Sequence, residues 1–231
     1  MRTALFVTCL VDTLRPEVGQ AAVAVLERAG VDVEFPAAQT CCGQLHHNAG
    51  KLDESHALAV RFAEIFVDYD AVVSPSASCV GHIRGALAEL GGRAAELGER
   101  TFELSQFLAE QLGIERIDTA FAGRVAYHPT CHSLRVLRLG DPPLKLLSGV
   151  AGVESVALER ADECCGFGGM FAVRNADVSS AMLADKLADI ERSGADVVCA
   201  CDTSCLLHIG GGLERAGSSI RAVHLAEILA G

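Results

Sequence analysis

"TCCGQLHHNAG", residues 40 to 50, sets two cysteines side by side ahead of a glycine, and 123 positions later "ECCGFGGMFAV", residues 163 to 173, does so again. Working outward from these two stretches, the chain divides into copies. "LFVTCLVDTLR" (5 to 15) overlays "AYHPTCHSLR" (126 to 135), bringing Cys9 onto Cys131. The double cysteines pair Cys41 and Cys42 with Cys164 and Cys165, and "SASCVGHI" (76 to 83) overlays "DTSCLLHI" (202 to 209), pairing Cys79 with Cys205. "FLAEQLG" (107 to 113) resembles "HLAEILAG" (224 to 231). The intervals agree as well: 31 residues separate Cys9 from Cys41 and 32 separate Cys131 from Cys164, while 36 and 39 follow each pair before the last cysteine. Ordered recurrence at near-equal spacing is a duplication. Its boundary lies near "GIERIDTAFAG" (113 to 123), giving a first repeat over 1–118 and a second over 119–231.

Within each copy, short β-branched runs ("TALFVT", "VDVEF", "DAVVS"; then "RVAYHPT", "VESVAL", "DVVCA") alternate with amphipathic stretches such as "DESHALAVRFAEIF" and "LADKLADIERSG". That rhythm predicts an α/β protein of two tandem Rossmann-like parallel-sheet repeats with right-handed crossovers. Cys9, Cys79, Cys131 and Cys205 then fall just past the C-terminal ends of strands, where ligands of open α/β sheets bind. Four thiols per copy are expected in one place.

Composition narrows the function. Half of the 231 residues are apolar and 21% are charged, as in a globular protein, and 30 acidic against 19 basic side chains argue against a nucleic-acid partner. No apolar run approaches the roughly 20 residues of a membrane span, and "ALFVTCLV" reads as a strand, not a signal peptide. A cytoplasmic, reducing location is therefore expected, in which ten cysteines are not a disulfide framework.

Zinc sites built from four cysteines usually use C-x2-4-C pairs, so that two sulfurs chelate one ion. Adjacent cysteines point in opposite directions and more easily reach different metal atoms, which a polynuclear cluster supplies. Three readings stay open on spacing: an iron-sulfur protein, a zinc-stabilised interaction module, and a thiol-disulfide oxidoreductase with a vicinal disulfide at Cys41-Cys42 or Cys164-Cys165.

The repeated C-x31-32-CCG-x36-39-C pattern resembles the cysteine-rich CCG domain found in heterodisulfide reductase and in the glycolate oxidase iron-sulfur subunit. With "FVTCLVDTL", "SPSASC", "YHPTC", "ECCGFGGMFAV" and "DTSCLLHI", spread over essentially the whole chain, it is similar to the lactate utilization protein A family. The resemblance implies an oxidoreductase component that helps oxidise L-lactate, a 2-hydroxy acid, to pyruvate with other subunits of a lactate-utilization system, one of them a ferredoxin-like iron-sulfur protein. It implies one or two 4Fe-4S clusters per chain, held by Cys9, Cys41, Cys42, Cys79, Cys131, Cys164, Cys165 and Cys205. Heterodisulfide reductase has a fifth cysteine in each domain; here Ser76 and Asp202 stand in its place. Both precede a helix and suit an N-cap, with ligation by either, or by Cys201, as the alternative.

The remaining motifs carry less. Cys199 and Cys201 alternate as in a buried strand. His46 and His47 have no match in the second copy and read as loop or helix-end residues, with cluster ligation or proton transfer as the alternative, whereas His82 and His208 match and stand one helical turn beyond a thiol, within reach of a hydrogen bond to it or in a structural role. His128 and Pro129, without equivalents at Val7 and Thr8, are read as shaping a loop. "CGFGGMF" (165 to 171) lacks the third glycine of a dinucleotide fingerprint, and Gly210 to Gly212 are expected to loosen or end a short helix. Arg135 and Arg174, near the second-copy cysteines, are candidates for holding a carboxylate.

Overall fold

The computed structural model describes residues 1–231, which divide into two compact units, Met1–Ile114 and Glu115–Gly231. In the first unit β1 (Thr3–Leu5), β2 (Val33–Glu34), β3 (Ala71–Ser74) and β4 (Thr101–Glu103) form one sheet in the order β2-β1-β3-β4. All pairs are parallel, with Thr3 against both Val33 and Ala71, and Val72 against Thr101. The second unit repeats the order as β6-β5-β7-β8, built from β5 (Ala120–Tyr127), β6 (Ala151–Val156), β7 (Val197–Ala200) and β8 (Arg221–His224), again all parallel. The expected α/β architecture of parallel-sheet repeats is the observed one.

Burial follows strand position in part: the edge strand β4 is also wholly buried, and the central strand β5 is buried only over its last three residues. Every residue of β1, β3 and β7 is buried, as central parallel strands covered on both faces require, while the edge strand β6 has no buried residue. The helix Leu52–Phe66 carries Asp53 and Glu54 in its first turn, favourable against the helix dipole. It buries Ser55, Ala59, Phe62 and Phe66 along one stripe. Phe62 and Phe66 meet Phe6, Val72 and Ile83 in the first core; Ala126, Ile190, Val198 and Ile209 belong to the second. No helix is long and apolar enough to cross a membrane.

Two local readings of the sequence are corrected. The Gly210 to Gly212 run does not end its helix, which continues from Thr203 to Arg215. A Cβ at Gly212 would lie 2.9 Å from Leu187 and one at Gly210 would lie 3.2 Å from Ala222, so these glycines permit close packing on the neighbouring helix and strand. At the ends of the copies, Glu103 and not Phe107 is the counterpart of His224, a shift of one helical turn. Glu103 accepts the Ser105 N–H at 2.8 Å, and His224 Nδ1 accepts the Ala226 N–H at 3.1 Å, each capping the helix that leaves the last strand.

Strand order reverses at the central pair of each sheet, β1 and β3 or β5 and β7, where the connections diverge and leave a crevice. Each CCG turn enters from the loop after the edge strand. Gly43 (φ 91°) and Gly166 (φ 90°) adopt the left-handed conformation that glycine tolerates. Their missing side chains also admit a helix: a Cβ would lie 3.1 Å from the Ser55 carbonyl oxygen at Gly43 and 2.6 Å from that of Ser179 at Gly166.

The two glycine sites differ in how much they tolerate. Gly166→Ala is expected to cost about 2–4 kcal/mol from left-handed strain plus overpacking, and Gly43→Ala about 1–3 kcal/mol, since its nearest contact is looser. Urea unfolding of the two variants measures both values and their order. Phe66→Ala, at a side chain with no exposure, is expected to cost about 3–5 kcal/mol in the same assay.

Candidate metal centre

The eight cysteines shared by the repeats form two chains of sulfur contacts with the same order. In the first unit Cys9 Sγ lies 3.6 Å from Cys41 Sγ, Cys41 adjoins Cys42 in the chain, and Cys42 Sγ lies 3.2 Å from Cys79 Sγ, all as free thiols. In the second, the thiols influence one another's ionisation in the same order, Cys131 with Cys164, Cys164 with Cys165, and Cys165 with Cys205. The adjacent cysteines of each pair therefore serve opposite directions. One reaches the thiol that follows the first strand, and the other reaches the thiol on the helix that follows the third.

The two cradles share their turn glycines but differ in how the flanking cysteines are held. Cys9 opens the helix Cys9–Leu14 and is preceded by Thr8 at φ 75°, a strained conformation for a β-branched residue. Cys79 sits in the first turn of the helix Ala77–Leu90, whose N-cap Ser76 Oγ accepts the Cys79 N–H at 3.3 Å. The turn glycines donate their N–H groups to sulfur, Gly43 to Cys41 and Gly166 to Cys164, both at 3.4 Å. Cys42 and Cys165 are 2% and 1% exposed, whereas Cys9, Cys41, Cys131 and Cys164 are half-buried.

Ionisation is shared within each chain. Hydrogen bonds from Cys42 and Cys9 pull the Cys41 thiol far below its ordinary value, against the opposing effect of burial; bonds from Cys131 and Cys165 do the same to Cys164. Their partners Cys9, Cys42, Cys131 and Cys165 are pushed up, chiefly by bonding to that thiolate and then by burial. One sulfur per chain readily carries negative charge, and further thiolates need positive charge from elsewhere. This donor chemistry fits a cationic metal centre.

Other residues singled out in the sequence take varied places. Ser76 is an N-cap as expected, but the Asp202 side chain makes no cap bond; its Oδ2 accepts the Thr130 hydroxyl at 2.6 Å, tying its helix to the loop that carries Cys131. His82 Nε2 lies 3.2 Å from Ser55 Oγ and His208 Nε2 lies 3.4 Å from Ser179 Oγ, so the matched histidines bind the serine helices that press on the CCG turns. Ser179 also donates to the Gly166 carbonyl at 2.9 Å. Burial lowers the His208 pKa, partly offset by the Cys164 charge. His46 and His47 lie on the short helix Gln44–Asn48, with the His47 ring 5.2 Å from that of His82. Cys199 and Cys201 are fully buried; burial pushes the Cys199 thiol up, and Cys201 Sγ lies 3.2 Å from the Tyr127 hydroxyl. Arg135 donates to the Asp162 carbonyl at 2.8 Å, and Arg174 is exposed.

His128 is the residue whose burial sequence reasoning missed. Its N–H donates to the Cys199 carbonyl at 2.7 Å, as that of Phe6 does to Val73 at 2.8 Å, so its counterpart is Phe6, and it stands in the loop immediately after β5, as expected. The ring is fully buried, and a ring nitrogen, Cys165 Sγ and Cys205 Sγ lie within 4.8 Å of one another. Burial, helped by the Lys186 charge, holds the imidazole down to about 4 against the opposing charges of Cys164 and Asp189. Counting back three residues from Cys9 and from Cys131 would have matched Phe6 with His128 and exposed the substitution.

Comparison with known proteins agrees with this repeat. The cysteine-rich CCG domain matches twice, over residues 3–84 and 125–210. Three proteins named lactate utilization protein A align along nearly the whole chain. That of Geobacillus kaustophilus is 43% identical over 99% of this chain and 98% of its own length. The protein of Exiguobacterium sp. is 42% identical, covering 98% and 96%. That of Oceanobacillus iheyensis is 40% identical, covering 99% and 96%. The chain belongs to the lactate utilization protein A family, built from two cysteine-rich CCG domains.

Proposed function

We propose that this chain is an iron-sulfur redox subunit of a system that oxidises L-lactate to pyruvate. The observation that carries the reading is the matched pair of four-thiol chains at the crevice of each sheet. Thiolates are the ligands that iron-sulfur clusters take, and Cys9, Cys41, Cys42 and Cys79 would hold one cluster, with Cys131, Cys164, Cys165 and Cys205 holding another. A bound 4Fe-4S cluster supplies reversible one-electron transfer. The protein's own contributions are the thiolates, water exclusion on the inner side by Cys42 and Cys165, and N–H donation from Gly43 and Gly166 to sulfur. Such donation disperses thiolate charge and raises the reduction potential.

Oxidation of lactate to pyruvate releases two electrons and two protons, one from the hydroxyl and one from the α-carbon, whereas a single cluster exchanges one electron at a time. The reading therefore assigns lactate to a partner subunit of the system and assigns this chain to electron transfer, together with a ferredoxin-like iron-sulfur partner. Ten free thiols suit a reducing cytoplasm. The lactate connection rests on the names of the relatives.

Iron, acid-labile sulfide and zinc should be measured on anaerobically purified protein, with electron paramagnetic resonance before and after dithionite. Near-equal iron and sulfide at about eight each per chain, with a reducible signal, are expected for two four-iron clusters. Stoichiometric zinc without sulfide overturns the redox reading in favour of a zinc-stabilised module. Cys41→Ala and Cys164→Ala are each expected to lose roughly half the iron; full retention in both contradicts the ligand sets. Ser76→Ala should keep its iron while losing about 1 kcal/mol of stability with the N-cap, as read by metal analysis and thermal unfolding.

A further inference from the structure

The two thiol chains match, but the layers behind them do not. In the first unit Phe6 belongs to the core, its ring centroid 5.0 Å from that of Phe62 and 5.8 Å from that of Phe66. The equivalents in the second unit follow from fixed points. His128 holds the Phe6 position by its strand hydrogen bond. Ser179 holds the Ser55 position by its contacts with the turn glycine and the histidine. Seven and ten residues beyond these serines stand Phe62 and Ile65 in one helix and Lys186 and Asp189 in the other. An aromatic and aliphatic group has thus become imidazole, ammonium and carboxylate, each no more than 1% exposed.

Burying charge costs several kcal/mol per ion unless it is paired, and two of these three groups are paired. Lys186 Nζ donates to the Arg160 carbonyl and lies 3.6 Å from Asp189 Oδ2. Asp189 accepts the Arg160 N–H at 3.2 Å and lies 3.6 Å from the Arg192 guanidinium. His128 differs: neither Nδ1 nor Nε2 has a hydrogen-bond partner. An orphaned buried polar atom costs about 1–3 kcal/mol, and Phe6 shows that the fold can fill this position without that cost. A ring nitrogen is nevertheless grouped with the sulfurs of Cys165 and Cys205, all within 4.8 Å. Imidazole nitrogen and thiolate sulfur are compatible donors to zinc and to iron in a cluster.

We propose that His128 is a ligand of the metal centre in the second unit, bound alongside Cys165 and Cys205, so that this centre includes a nitrogen donor with no counterpart at Phe6. The proposal rests on the metal-centre reading above. Histidine raises the potential of an iron-sulfur cluster where it replaces a thiolate; here the imidazole is a donor additional to the four cysteines, and duplication has produced two centres with different donor sets.

Pulsed electron paramagnetic resonance of the dithionite-reduced full chain, unlabelled and with nitrogen-15 histidine, tests the assignment. Wild-type protein is expected to show coupling to a directly bound histidine nitrogen, lost in both His128→Phe and His128→Asn while the iron held by the first unit remains. Phenylalanine is the residue the first unit uses there, and asparagine supplies a polar variant if the larger ring disturbs packing. A reduced cluster signal without such coupling, or coupling unchanged in either folded variant, overturns the proposal. Protein lacking iron and sulfide overturns the iron-sulfur reading instead, and cobalt(II) alone then becomes the probe. Cobalt absorption and nitrogen coupling that change in His128→Asn support the ligand; failure to bind cobalt, or a spectrum indifferent to the variant, overturns it.

Discussion

The left-handed glycine that ends each CCG turn is the constraint on which both sites depend. At Gly43 and Gly166 the chain reverses within one residue and presses against a helix through Ser55 and Ser179. That reversal lets two adjacent cysteines serve thiols from different strands. Without it, Cys41 and Cys42 could not reach Cys9 on one side and Cys79 on the other. The same residue also returns an N–H to the first sulfur of the pair. One glycine therefore sets the backbone path, the helix distance and part of the sulfur electrostatics.

The thiols are held by elements whose positions are set elsewhere in each sheet. Strand order reverses between the two central strands, and the helices that follow those strands bring in Cys9 and Cys79, or Cys131 and Cys205. Histidine-serine contacts then fasten the third-strand helix to the helix behind the CCG turn. Because those contacts recur in both units, the sulfur arrangement is a property of the repeated fold and not of one local sequence. What differs lies in the packing layer, where Phe6 and Phe62 are replaced by His128 and Lys186. A neutral core can be exchanged for a paired polar one only where each charge finds a partner, and the Arg160 backbone, Asp189 and Arg192 supply those partners.

Much of this was legible in the sequence because cysteine spacing survives duplication and parallel strands have a distinctive apolar rhythm. The eight thiols, the two sheets and the capping role of Ser76 could be read from pattern alone. Failures occurred where a local rule met a tertiary one. Gly210 to Gly212 look like a helix terminator by propensity, but close approach to Leu187 and Ala222 makes glycine suitable inside the helix. Asp202 stands at an N-cap position, yet Thr130 from another loop takes its carboxylate. His128 lies in the loop after β5, as the neighbouring proline suggests, but its burial beside Cys165 and Cys205 is set by tertiary packing that the sequence does not show.

Burial gives each site an inside and an outside. Cys42 and Cys165 face their cores, while Cys9, Cys41, Cys131 and Cys164 are half-buried. Charge follows the same division, since the sulfurs that most readily ionise, Cys41 and Cys164, belong to the outer set. Water reaches that outer side, where the dielectric is higher and electrostatic interactions with the thiolates are weaker. The inner side is drier, and there a change such as Phe6 to His128 has the greater electrostatic effect. Duplication has therefore left the outer sulfurs alike in both units while the layers behind them diverged.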